Sequence, residues 1–442
     1  MHKHVSIGLM GLVGLLAVLS YLSIPRADLA YQKATAQIAA DKETVTEEQP
    51  APEPVDTRPV VQHVPLPPQV KAIYMTSCVA GTPSFREKLL TLIKETEVNS
   101  VVIDIKDYTG TISFAPENPA WLPAWENARC GARDMRELIA ELHTADVFVI
   151  GRMTVFQDPF QAERAPHLAV KKLDGQTVWR DGKGLAFIDV AAREYWDHII
   201  ALTVDSYNLG FDEINFDYVR YPSDGNMRDI SFTHTVGSKW PNDKQANLEA
   251  FFEYLNTKLD DPVLFAKYRH ENTGRGIPTP YTSADLFGMT TTNYDDLSIG
   301  QVQERAAPYF DFIAPMVYPS HYPDDYLGLG DPNLQPYKIV YHAMKSGVDR
   351  MLATTTRMEG FKHTRVGTST PAVYEKPAFD GKRLRTWIQD FDYGGNYDIA
   401  EVRAQIQASY DAGVMSWMIW APSNIYTKGA LLAPGVLEVP EE

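Results

Sequence analysis

The sequence predicts an α/β fold, a (β/α)8 TIM barrel preceded by an N-terminal transmembrane helix and a disordered Pro/Glu-rich linker. Three observations lead there. From Val70 onward, short apolar runs alternate with runs of helical period, and eight candidate strands fit within about 360 residues, the pattern of a barrel with insertions. The first candidate strand runs into Thr76, Ser77, Cys78, Val79, Ala80, Gly81 and Thr82, which is no phosphate-binding glycine fingerprint, so a doubly wound sheet, the main rival, is disfavoured. Acids, amides and aromatics recur where the candidate strands end, the edge at which parallel barrels collect functional groups.

Residues 5–24 form an uncharged apolar run long enough to cross a bilayer. Lys3 precedes it, with His2 and His4, which favours a cytoplasmic N-terminus. A cleaved signal peptide is the rival. Its best small-residue site, Asp28, Leu29 and Ala30, has an Asp where a small residue is wanted, so an uncleaved single-pass anchor is expected over 1–30. Residues 31–69 turn to Pro, Glu, Thr and Val with no helical period and read as a disordered tether. The barrel is expected over 70–436, extracytoplasmic, with a tail over 437–442.

Strands are predicted at 70–77, 100–107, 147–156, 212–219, 280–288, 310–322, 384–391 and 413–424. Helices are predicted at 85–96, 133–144, 193–208, 245–259, 339–346 and 399–412; Met135, Leu138, Ile139 and Leu142 share one face of the second. In the fourth strand, Ile214, Phe216 and Tyr218 alternate with Glu213, Asn215 and Asp217, so the polar set faces one side. Buried carboxylates are costly unless paired or used. Pro222 stops this strand, leaving Asp217 at its C-terminal end. Asp212 reads as a turn cap or an arginine partner. The long segments 157–190, 222–243, 288–305 and 319–336 mostly follow strands and should crowd one mouth. The stretch 355–382 suits a small hairpin.

A net charge of -16 argues against nucleic-acid binding. Aromatics make up 11% of the chain, with 8 Trp and 23 Tyr, a composition that suits stacking on sugar rings as well as core packing. Cys78 and Cys130 fit no zinc motif; a disulfide and two free thiols stay open alike. There is no HExxH, the 11 His are scattered, and no metal or cofactor is expected. A GxSxG elbow is also missing, which disfavours a serine triad.

The strand ends supply Asp104 and Lys106, then Asp107; Arg152; Asn215 and Asp217, then Arg220; Ser283 and Asp285; Tyr318, then His321; Trp387, Gln389 and Asp390; and Trp420. Glycoside hydrolysis needs two carboxyl groups, one protonated and one ionised. Asp217 and Asp285 end neighbouring strands and form the first catalytic pair, with pKa values split by burial and mutual repulsion. Asp104 and Asp390 are substitutes. Asp104 with Lys106 reads equally as a structural ion pair, and Asp390 as a loop cap.

Segments 70–114, 210–224, 281–288, 310–321 and 384–426, with the runs IYMTS, VVIDIKDYTGTISF, FDEINFDYVRYPSDG, SADLFG, FIAPMVYPSHY, WIQDF and WAPSNIYT, resemble the bacterial family called the "putative glycosyl hydrolase domain". The resemblance implies a TIM-type barrel and carbohydrate cleavage. A more distant similarity is to chitinase-type glycosidases, with Asp212, Asn215 and Asp217 on the three Asp positions of DxxDxDxE, Met316 and Tyr318 on the MxY, and Trp420 on the eighth-strand Trp. Val219 occupies the general-acid Glu position, so chitinase chemistry does not carry over. The expected function is a membrane-anchored glycoside hydrolase on a cell-envelope or extracellular polysaccharide. Asp217 is nucleophile or base and Asp285 the acid. Tyr318, Trp387 and Trp420 form stacking walls, and Asp104, Lys106, Asn215, Arg220, His321, Gln389 and Asp390 serve as further substrate contacts. The alternative is a catalytically silent glycan-binding barrel.

Overall fold

A computed structural model describes residues 58–261, 263–265 and 279–436. Eight parallel strands close into a barrel: β1 (Lys71–Met75), β2 (Ser100–Lys106), β3 (Phe148–Thr154), β4 (Glu213–Asp217), β5 (Tyr281–Phe287), β6 (Phe312–Met316), β10 (Thr386–Gln389) and β11 (Trp417–Trp420). The order around the ring is β1-β11-β10-β6-β5-β4-β3-β2. All eight predicted strands are present, shorter at their ends than the apolar runs suggested. Between β6 and β10 lies a separate antiparallel sheet of β7 (Thr355–Thr356), β8 (Thr364–Val366) and β9 (Val373–Glu375), with β9 in the middle, where the hairpin was expected.

The helices between strands are α1 (Pro83–Glu95), α2 (Met135–Thr144), α3 (Arg193–Leu209), α4 (Lys244–Leu259), α5 (Pro336–Leu352) and α6 (Ile399–Asp411). Between β5 and β6 the chain makes the short helix Gln303–Ala306. Gly210 ends α3 with φ 128°, a conformation that an L side chain rarely adopts. α5 runs through Gly347, past the predicted stop. A Cβ at Gly347 would lie 3.3 Å from Thr291 Cγ2 and 3.4 Å from Leu384 Cδ1, so the missing side chain lets this helix lie close on its neighbours.

Two apolar layers result. Ile73, Ile103, Val149, Ile214, Ala284 and Ile388 face outward and pack under the helices. A smaller set, including Ala72, Tyr74, Val102, Phe148, Ile150 and Trp387, fills the barrel interior. Val64 and Leu66 pack against that interior set from outside the strands. Thus residues 58–69, expected as the end of the tether, include part of the barrel packing. Asp212, just before β4, holds this strap. Its Oδ1 accepts from the Val64 N–H at 3.1 Å and bonds His63 Nδ1 at 3.2 Å. Its Oδ2 accepts from the Val149 N–H at 2.8 Å and bonds His143 Nε2 at 2.9 Å. Asp212 is therefore structural, but as the anchor of this strap through two backbone amides and two histidines, not as a turn cap or an arginine partner. Asp212→Ala is expected to destabilise the domain by about 3 kcal/mol, because several buried donors lose a charged acceptor at once; a urea midpoint unchanged from wild type would contradict this.

Cys78 and Cys130 are joined in a disulfide, with Cα atoms 4.7 Å apart, which resolves the open alternative of free thiols. The apolar run 5–24, the tether over 31–57 and the tail 437–442 lie outside the described residues. Among the described residues, no helix is long and apolar enough to cross a membrane.

Candidate active site

The site grows from a polar column inside the barrel. β4 points Glu213, Asn215 and Asp217 inward, as its alternation requires. β5 lies beside it in register, with Glu213 opposite Tyr281, Asn215 opposite Ser283 and Phe216 opposite Ala284. At the base of the column, Arg385 Nη1 donates to both Glu213 oxygens at 2.7 Å. Glu213 Oε1 also accepts from the Ser283 hydroxyl at 2.6 Å. Above them, Asn215 Nδ2 donates to Ser283 Oγ and to Asp285 Oδ1, both at 2.9 Å. The Trp387 indole N–H donates to the same Asp285 oxygen at 2.7 Å. Each buried polar group thus orients the next, and the column ends at Asp217 and Asp285. Their neighbours in register, Phe216 and Ala284, are paired, so the two acids follow on adjacent strands whose backbones lie roughly 5 Å apart.

The environments of these two acids differ. Asp217 Oδ2 accepts from Arg152 Nε at 3.0 Å and Nη2 at 2.5 Å, and Oδ1 accepts from the Tyr218 N–H at 2.6 Å. Tyr218 has φ 51°, the left-handed conformation that costs an L residue about 1–2 kcal/mol, and it places this amide on the carboxylate. Asp285 is 1% exposed, and burial first, then the Asp217 charge, push its carboxyl well above the usual range; Asn215, Arg152 and Trp387 oppose them. Asp104 Oδ1 accepts from Arg152 Nη1 at 2.8 Å and Oδ2 from the Tyr74 hydroxyl at 2.6 Å. Burial lifts Asp104 above its ordinary value, with Arg152 and Tyr74 opposing. For Arg152 itself, burial disfavours the charge, but Asp217 and Asp104 outweigh it and hold the guanidinium protonated.

Trp420, Phe391 and His321 form a rim, and Tyr318, expected as a stacking wall, is 4% exposed and packs against Trp420 and His321 instead. Tyr318 and Trp420 have ring centroids 5.1 Å apart, Trp420 and Phe391 5.0 Å, and Tyr318 and His321 5.1 Å. Burial, then the charges of Asp285 and Asp217, keep the Tyr318 phenol protonated well above its usual range. The insertions after β3 and β4 meet through the Lys171–Ser231 bridge. Val170, Trp179 and Phe187 form a small apolar cluster there, against which Tyr218, Ile230 and Phe232 pack.

Several expected contacts are placed elsewhere. A register shift between Asp104 and Lys106 turns Lys106 out of the barrel, so it pairs in register with Met153, while Asp104 pairs with Arg152. Lys106 Nζ is sealed against Asp158 Oδ2 at 2.7 Å and the Tyr195 hydroxyl at 2.8 Å. Neither substrate contact by Lys106 nor an Asp104–Lys106 ion pair survives. Asp390 caps a loop, accepting from the Thr427 N–H at 2.7 Å and the Thr427 hydroxyl at 2.8 Å. Gln389 is fully buried; its Oε1 accepts from the Ser320 hydroxyl at 2.8 Å and its Nε2 donates to the Phe391 carbonyl at 3.0 Å, which pins the rim loops. Trp387 is 2% exposed and orients Asp285 rather than offering a stacking face. Arg220 donates to the Tyr221 carbonyl at 3.0 Å and to Ser223 Oγ at 3.2 Å, and lies over the Tyr218 ring.

Arg152 was visible as a strand-end cation, but its partner was not, because register across strands decides that. Ser283 was likewise visible at a strand end without its partners, whereas Tyr74 was signalled only by its alternation within β1. Among the described residues, no group of three or more His, Cys, Asp or Glu could hold a metal ion.

Residues 72–426 match the model of the family described as "Putative glycosyl hydrolase domain". Among solved structures, the PgaB (BpsB) glycoside hydrolase domain from Bordetella bronchiseptica has a TM-score of 0.51 at 12% identity, over 82% of this chain and 94% of that one, a likeness of fold. A hypothetical protein from Ruminiclostridium thermocellum ATCC 27405 is 27% identical over 48% of this chain and 96% of its own, with a TM-score of 0.35. The C-terminal domain of a putative chitinase from Desulfitobacterium hafniense DCB-2 is 13% identical over 82% of this chain and 96% of its own, with a TM-score of 0.41. No curated protein matches the chain.

Proposed function

The chain belongs to the family described as "Putative glycosyl hydrolase domain", and on that premise we propose that it hydrolyses a cell-envelope or extracellular polysaccharide with Asp285 as acid and Asp217 as nucleophile or base. The observation that carries this reading is the pair itself: two adjacent carboxyl groups at the barrel mouth, one ringed by donors and one buried with its proton favoured. Asp285 gives its proton to the leaving glycosidic oxygen as the C–O bond breaks. If Asp217 bonds to the anomeric carbon, water then breaks that glycosyl ester, supplies the hydroxyl and returns a proton to Asp285, which frees the Asp217 carboxylate; if Asp217 instead directs water onto the carbon, it takes that water's proton, and exchange with solvent resets both acids. Trp420, half-buried at the mouth, offers a ring face for sugar stacking, with His321, exposed near it, as a polar contact, while Tyr318 is buried against both.

The apolar run at 5–24 and the Cys78–Cys130 disulfide support a membrane-anchored domain outside the cytoplasm. Protease added to intact cells should remove the barrel; full protection would contradict this placement.

The function is tested by incubating the full chain with peptidoglycan, amino-sugar polymers and neutral glucans and measuring reducing ends. Wild type is expected to release them from one class and Asp217→Asn from none. If both bind a glycan and neither cleaves any, the site is a binding barrel. The pH dependence follows from Asp285. Its pKa is raised by burial and by the Asp217 charge, so the acid form persists above the usual carboxyl range and is lost as pH rises through the raised value. Activity is therefore expected to fall on the alkaline side, and a rate still rising well above neutral pH would contradict Asp285 as the acid.

A further inference from the structure

We propose that Arg152 is the positioning residue that assigns the proton within the acid pair, holding Asp217 as the carboxylate and leaving the proton to Asp285; this rests on the hydrolytic reading of that pair. Its guanidinium joins three strands. Nε and Nη2 reach Asp217 Oδ2 at 3.0 and 2.5 Å, and Nη1 reaches Asp104 Oδ1 at 2.8 Å. The Tyr74 hydroxyl holds the other Asp104 oxygen at 2.6 Å, and the Tyr74 ring lies 5.6 Å from the guanidinium carbon, so the anchor is fixed on both sides. Every hydrogen bond on Asp217 comes from a donor: Arg152 on Oδ2 and the Tyr218 N–H on Oδ1. Such contacts favour the charged form.

Asp285 is arranged differently. Both of its donors, Asn215 and Trp387, are neutral and fall on Oδ1. Oδ2 takes part in no hydrogen bond among the described residues and is the atom left to carry a proton toward a leaving group. The titratable groups around the guanidinium are Tyr74 from β1, Asp104 from β2 with Asp107 beyond it, Asp217 and Tyr218 from the end of β4, Asp285 from β5 and Tyr318 beyond β6. The other arginine of this rim, Arg220, is turned to the Tyr221 carbonyl and Ser223. Arg152 thus supplies the positive charge that acts on one acid by direct contact and not on the other.

The test uses a reporter built into the site. The Trp387 indole N–H is bonded to Asp285, so its ¹⁵N resonance in the full chain follows the protonation of the pair; Trp387→Phe assigns the peak. In wild type, one step is expected above the ordinary carboxyl range. In Arg152→Gln the pair loses its cation and binds protons more tightly, so the midpoint is expected to rise by about one pH unit or more, the scale of a lost contact charge, and a second step to enter the same range. Arg152→Lys keeps a charge but loses the two-nitrogen grip, so a smaller rise in the same direction is expected, and it carries the test if the Gln variant does not fold. Titrations that coincide with wild type overturn the proposal. Where cleavage is measured, the acid limb of the rate should move to higher pH in the same variants. A rate lowered equally at every pH marks a merely structural arginine and overturns the assignment. A chain that cleaves none of the polymers but shows the resonance shift defeats the hydrolase reading while supporting the role of Arg152.

Discussion

Asp285→Asn is expected to slow hydrolysis of a natural polysaccharide by about 10³-fold, within the range that a positioned general acid contributes. The amide has no acidic proton to give the leaving oxygen, yet it keeps the carbonyl that accepts from Asn215 and Trp387, so the column beneath should stay intact. The size of the loss should depend on the leaving group. A fluoride or nitrophenyl glycoside of the same sugar leaves without protonation, and the Asp285→Asn defect on it should shrink toward wild type in the bond-breaking step. The Asp217→Asn defect should not shrink, because attack at the anomeric carbon is needed whatever leaves. Equal defects on both substrates would remove the distinction between acid and nucleophile. The same variant also changes stability in a direction fixed by linkage. A carboxyl whose folded pKa is raised stabilises the fold fully below its unfolded pKa and loses that contribution as pH rises through the folded value. Asp285→Asn, which cannot ionise, should therefore gain stability relative to wild type as pH rises, and Tm measured at acid and at alkaline pH checks this.

The second large effect concerns the base of the column. Glu213 and Arg385 are 0% and 1% exposed, and Glu213 also holds Ser283. Removing one charge of a buried pair leaves the other uncompensated, which costs about 3–5 kcal/mol. Glu213→Gln is expected to destabilise the domain by that amount, read as a lower urea midpoint. Because Ser283, Asn215 and Asp285 are linked above it, activity remaining at low temperature should fall as well. A Glu213→Gln variant as stable as wild type would show that the column is not held from below.

Much of this was legible in the chain itself. The β4 stretch carries its own alternation, so the inward set of Glu213, Asn215 and Asp217 and the placement of Asp217 at the strand end follow from spacing alone. Helices with clear stripes, such as α2, began and ended near their predicted limits. The disagreements share a cause: they depend on how strands and segments meet. A register shift after Asp104 reversed Lys106, and no local pattern announces such a shift. Arg152 could be seen, but not that it faces Asp217 and Asp104 rather than solvent. Residues 58–69 have a tether's composition, yet Val64 and Leu66 find a barrel end to cover, and Asp212, 148 residues beyond Val64, supplies the acceptor that holds them. Asp390 was correctly placed just past a strand end, where it caps a loop, whereas Trp387 lies inside β10, where burial makes it an orienting donor to Asp285.

The most direct test of the whole account is a crystal structure of the full chain carrying Asp285→Asn, soaked with an oligosaccharide of whichever polymer the wild type cleaves. A glycosidic oxygen within hydrogen-bond reach of residue 285, the anomeric carbon facing Asp217 and a sugar ring against Trp420 is the expected result. A sugar bound away from the barrel mouth, with the two acids untouched, would contradict it.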